Sequence, residues 1–97
     1  MSNKRLAYEE KMDAQLKEWS AEIALLSAKA DKAKAEAKIE YYRTIETLVA
    51  KHDSARTKLL EIRASSEDAW EDLKVSAEKI WNEVKSGIST ANSRFSS

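Results

Sequence analysis

The sequence contains no cysteine and no proline, and its single glycine, Gly87, stands ten residues from the C-terminal end. Without cysteine there is neither a disulfide framework nor thiolate chemistry. Without proline nothing forces a helix to stop, and before Gly87 no residue ends one cheaply. Charge of one sign is missing too: seventeen basic and seventeen acidic residues cancel. They cancel locally, with nine of each in residues 1–50 and eight of each in 51–97. No basic patch stands out to attract phosphate, so nucleic acid is not an expected partner. No apolar run exceeds a few residues, Ile23–Leu26 being typical, far short of the ~20 needed to span a bilayer. Met1–Met12 carries Lys4 and Arg5 with no apolar segment behind them, so a secretory signal is not expected. These absences lead to the expectation of one soluble, cytoplasmic domain over 1–97.

What is present is periodicity. Met12, Leu16, Trp19, Ile23, Leu26, Ala30, Ala33 and Ala37 follow steps of four and three, a heptad rhythm that pairs helices. The stripe continues through Tyr41, Ile45, Leu48, His52, Ala55, Leu59 and Ile62, with a stutter around Tyr41. A last stretch runs through Ser66, Trp70, Leu73, Ala77, Trp81, Val84, Ile88, Ala91 and Phe95. Charged residues make up 35% of the chain, and with the Ala/Lys/Glu-rich polar stretches this is a coiled-coil composition. Between Ala28 and Ala37 the stripe thins to alanine, which favours helix but buries little. Either a partner helix comes close there or the stretch is a weakly packed strut.

The fold expected is all-α: a long coiled-coil helix over about 3–64, then a shorter amphipathic helix over about 66–86. The whole would be elongated or a helical hairpin. A break or kink is placed at 63–67, where Ser65 and Asp68 have capping-box spacing, and Glu67 and Asp68 suit a helix N-terminus. With no glycine or proline there, the same residues also fit a solvated turn of one continuous helix. Lys51–Ser54 is a weaker candidate for a break. After Gly87 the tail 87–97 is expected to fray, because 86–97 holds six Ser or Thr residues, although Ile88, Ala91 and Phe95 could extend the stripe if something covers them. Trp70-Glu71-Asp72-Leu73-Lys74 recurs eleven residues later as Trp81-Asn82-Glu83-Val84-Lys85. Eleven residues are close to three helical turns, so both tryptophans share one face.

Catalysis has little to use. His52 is the only histidine, and no positioned acid or nucleophile accompanies it. On the stripe it reads as a tolerated polar core position. Val49 stands where a Glu-x-x-His metal motif needs glutamate. No enzyme activity, cofactor, metal or small-molecule substrate is expected. A membrane-surface role for Trp70, Trp81 and Phe95 is disfavoured, since residues 66–97 hold four basic and six acidic groups.

The stretches Lys11–Arg43 (KMDAQLKEWSAEIALLSAKADKAKAEAKIEYYR) and Ala64–Lys85 (ASSEDAWEDLKVSAEKIWNEVK) resemble a group of small bacterial coiled-coil proteins commonly labelled stress-response proteins. The resemblance covers most of the chain and is carried by the order of the two segments. It implies a small cytoplasmic helical protein without enzymatic activity, loosely tied to stress, and transfers no catalytic or ligand residue. One departure is that Glu67 follows Ser66 where the group's pattern has glycine, which makes a sharp turn there less expected.

The function expected is therefore that of a structural or interaction protein working through helix–helix contacts, with a coat for membranes or proteins under stress as the alternative. Its interaction seam would be Met12, Leu16, Trp19, Ile23, Leu26, Ile45, Leu48, Leu59, Ile62, Trp70, Leu73, Trp81 and Val84. That seam would be covered by fold-back, by a homo-oligomer (dimer or tetramer) or by a partner helix.

Overall fold

The computed structural model describes residues 3–95. They form α1 (Asn3–Asp31), α2 (Ala35–Ala64) and α3 (Trp70–Phe95), with no strand among the described residues. The fold is all-helical and elongated, 51 × 17 × 17 Å.

The single rod over 3–64 is corrected: it is two helices, α1 and α2, joined at residues 32–34. One rod would run roughly 90 Å at 1.5 Å per residue. It would leave the large seam residues of both halves in water, at about 1.5–3 kcal/mol each. Folding back at the alanine-rich stretch sacrifices little packing and covers both halves. The turn needs no glycine, because no residue in it takes a positive φ. α1 closes with tight bonds from the Lys32 and Ala33 amides to the Lys29 and Ala30 carbonyls, at 3.2 and 3.1 Å. Lys34 is extended (φ −66°, ψ 151°). Its carbonyl accepts from the Ala37 and Lys38 amides at 2.9 and 3.1 Å, which starts α2. The Tyr42 hydroxyl donates to the Asp31 carboxylate and clasps the turn.

A break is present but falls at 65–69 rather than 63–67, so the last helix starts at Trp70 and not near 66, and its chemistry differs from the expectation. Ser65 ends α2: its hydroxyl donates to the Ile62 carbonyl at 2.7 Å. Ser66 does the capping, its Oγ accepting from the Ala69 amide at 3.2 Å. Glu71 and Asp72 then sit in the first turn of α3, where the helix dipole favours them. At 51–54 the helix runs through unbroken.

The expected end near residue 86 and the frayed tail are also corrected. α3 continues through Gly87 to Phe95, while Ser96 and Ser97 lie outside the described residues. Ile88, Ala91 and Phe95 are buried, so continuing the helix adds core. Gly87 serves packing, since a Cβ there would lie 2.7 Å from Leu48 Cδ2.

Tyr8 meets Trp70 and Trp19 meets Trp81, so α1 and α3 run parallel. Tyr41 meets Phe95 while Leu48 faces Gly87, so α2 is antiparallel to α3. One main core runs through all three helices. A smaller cluster of Ile62, Trp70 and Ala77, with Tyr8 and Leu73 against it, seals the end near the second turn.

Candidate interaction face

Of the thirteen seam residues, twelve are buried within the chain itself. The other, Leu73, is half-buried against the Ile62–Trp70 cluster. Fold-back is what covers the seam. The rings of Trp19 and Trp81 lie 5.3 Å apart and tilted. Those of Tyr8 and Trp70 lie 5.9 Å apart, with Lys74 Nζ 5.2 Å from the Tyr8 centroid. Trp70 and Trp81, the repeat that the sequence singles out, thus both turn inward onto α1. His52 is half-buried, with Nε2 2.9 Å from the Leu16 carbonyl. That oxygen can only accept, so Nε2 carries the hydrogen and the imidazole pins α2 to α1.

Sequence reasoning missed Arg5. It is the one buried charged residue among the described residues, at 8% exposure. Its Nη2 donates to the carbonyls of Ile62 (2.6 Å), Arg63 (3.0 Å) and Ser65 (2.8 Å). Those carbonyls lie at the C-terminal end of α2, and that of Ile62 also accepts from the Ser65 amide and hydroxyl. Nη1 reaches Glu67 at 3.3 Å, and Nε lies 4.0 Å from Glu9. Arg63 bridges back to Glu9 and Asp13 at 3.7 and 3.8 Å. Together these groups tie the first turns of α1 to the α2–α3 connection.

A groove open enough to receive a partner lies between the parallel helices α1 and α3, with a volume of about 740 Å³. Steps of three and four place Lys11, Gln15, Glu18 and Glu22 along one edge and Glu78, Asn82, Lys85 and Ser89 along the other. Met12, Trp19, Trp81 and Ile88 form its floor. The rim carries both signs, Lys11 and Lys85 against Glu18, Glu22 and Glu78, rather than one charge. The Trp81 indole Nε1 is buried without an acceptor, on a residue only 7% exposed. Tyr8 Oη, beside the same pair of helices, is likewise buried without a partner. Burial first, and the Glu78 carboxylate second, push the Tyr8 hydroxyl up to about 12.

Among the described residues no group of three or more His, Asp or Glu side chains could hold a metal ion. No helix among them is long and apolar enough to cross a membrane. Compared with known proteins, the sequence matches no family model, no curated protein and no solved structure. The likeness to small bacterial coiled-coil proteins thus rests on the two quoted segments alone.

Proposed function

We propose that this chain is a non-enzymatic interaction module whose α1–α3 face docks another helical surface. The observation that carries this reading is the open groove between α1 and α3, with Met12, Trp19, Trp81 and Ile88 on its floor and charges of both signs on its rim. The lone histidine spends its donor on a backbone carbonyl, which supports the non-enzymatic part. A membrane-coating role would require Trp70, Trp81 and Phe95 to leave the core, and the acidic balance of 66–97 opposes anionic lipid. A cytoplasmic, stress-linked setting belongs to the same proposal.

The test is site-specific photo-cross-linking in cells. Benzoylphenylalanine at Glu18 or Asn82 should give protein adducts, more of them after a heat or osmotic challenge, while the same probe at Thr57 on the outer face of α2 should not. Cell fractionation reports the compartment. Adducts absent at both groove positions, or equal at Thr57, would remove the reading.

A further inference from the structure

We propose that α1 is an exchangeable arm: two copies of this chain open at residues 32–34 and swap α1, each arm packing onto the other copy's α2 and α3. The chemistry of the turn carries this. Residues 28–38 are alanine, lysine or glutamate apart from Asp31, all strong helix formers. No residue in the turn takes a positive φ. Lys34 already has a helical φ of −66° and departs from helix in ψ alone. No side chain caps the start of α2, and Lys34 and Lys38 stand at the positive end of its dipole. Straightening the turn pairs the amides and carbonyls that two helix ends leave over. The exposed hydrogen bond from Tyr42 to Asp31 clasps the turn, and two copies can make the same bond with each other. What keeps the chain folded back is therefore the covering of the seam, which a second copy also provides.

In the exchanged pair every contact of α1 is kept. Arg5 reaches the other copy's Ile62, Arg63 and Ser65 carbonyls, Trp19 meets its Trp81, and the Leu16 carbonyl meets its His52. The α2–α3 connection is no hinge of this kind, because Ser65 and Ser66 bond the helix ends there. α3 thus stays on its own α2, with Phe95 against Tyr41. Each opened chain carries one rod over 3–64, and the pairs Glu9–Arg63 and Asp31–Tyr42 fix the register in which two rods run antiparallel. The rods cross midway between the members of both pairs, where Ala33 and Ala37 of the stripe let the backbones approach. Lys34 of each rod falls opposite Lys38 of the other, so salt favours the exchanged form by screening them. The contact is isologous and closes at two copies. Both α1–α3 grooves survive, each built from two copies, so the exchange neither needs nor forbids a partner in them.

Refolding at high concentration tests this. Wild type refolded from denaturant at millimolar concentration should give, beside monomer, a species of twice the 11.0 kDa chain mass, and more of it with added salt. Small-angle X-ray scattering should give that species a length of roughly 90 Å, the rod at 1.5 Å per residue, against 51 Å for the single bundle. Ala35→Pro suits the turn, where Lys34 is extended, but breaks a helix running through it. It should raise the dissociation constant of the dimer about a thousandfold or more while circular dichroism shows it folded. A chain lacking residues 32–34 has no room to turn back and should be dimeric even at micromolar concentration. Five outcomes each overturn the proposal: wild type that refolds only to monomer, a dimer no longer than the single bundle, a dimer that salt dissolves, a dimer that Ala35→Pro leaves intact, or a folded monomer of the chain lacking 32–34.

Discussion

Arg5 shows how one side chain holds the first turn of α1 to a connection some sixty residues away. Its guanidinium is buried and meets three carbonyls where α2 ends. Arg5→Ala takes the cation from those oxygens and leaves the half-buried Glu9 to Arg63, a change expected to cost about 3 kcal/mol. Arg5→Lys should recover less than half of that, since an ammonium lacks the planar fork. Urea melts of the three proteins give the comparison. The cue was in the sequence: Arg5 precedes Met12 by seven residues, in the register of Met12, Trp19 and Leu26. A charged residue in a core register reads as surface until the carbonyls it serves are known, and those lie some sixty residues away. Tyr8 was hidden in the same way, four residues ahead of the stripe. Its hydroxyl has no partner, so Tyr8→Phe should leave stability at pH 7 unchanged or raise it by up to about 1 kcal/mol. The folded state holds the Tyr8 proton more tightly than the unfolded chain does, with a pKa pushed from 10.0 to about 12. Its contribution is therefore whole below pH 10 and fades as pH climbs through 12. Denaturant melts at pH 7 and pH 11 should show the wild type losing more stability than Tyr8→Phe. Equal losses would show that Tyr8 does not set the alkaline limit.

At the scale of helices, periodicity was legible and termination was not. The stripe residues are those the core contains, because a 3.6-residue repeat fixes which face must leave water. Where a helix ends depends on competition between local chain preference and distant contacts. The alanine run has the highest local helix preference and the smallest contact loss on turning, and the turn falls there without glycine. This can be checked with proline. Ala35 is the first residue of α2, and Lys34 before it is already extended, the geometry a following proline asks for. Ala35→Pro should keep the far-ultraviolet spectrum and add about 0.4–1 kcal/mol. Ala50→Pro, in the middle of α2, should cost about 3 kcal/mol or more. A continuous rod would be damaged by both. Gly87 was misread from the opposite side: a residue that commonly ends helices sits mid-helix because α2 needs its space. Alanine there regains about 1 kcal/mol of helix preference. It also thrusts a methyl to within 2.7 Å of Leu48 Cδ2, and Leu48 is itself only 2% exposed. Overpacking costs about 1–3 kcal/mol, so Gly87→Ala is expected to be net destabilising by about 1 kcal/mol. Combining it with Leu48→Val should make the two substitutions less costly than their sum.

For the whole molecule, the consequential question is whether the last ten residues belong to the fold. Composition alone, rich in serine and short of bulk, reads as a tail. Spatially, residues 88–95 complete one end of the bundle. Phe95 stacks on Tyr41 at 4.0 Å between centroids, and the Tyr41 hydroxyl donates to the Arg94 carbonyl at 3.3 Å. Arg94 also reaches Glu40 at 3.1 Å. These contacts fasten the free end of α3 beside the first turns of α2. A chain ending at Gly87 loses Ile88, Ala91 and Phe95 from the core. Removing a buried phenylalanine costs about 3–5 kcal/mol and a buried isoleucine about 2–5 kcal/mol. Domains of this size hold only about 5–15 kcal/mol in total, so the loss is comparable with everything available. The shortened chain should keep part of its helical signal yet lose its cooperative melt, while the chain ending at Phe95 should melt as the full chain does. Circular dichroism and calorimetry on the three lengths decide the matter. A sharp transition at an unchanged temperature for the Gly87 truncation would mean that α1 and α2 with the first half of α3 form a sufficient core, and that the end of α3 is dispensable to the bundle.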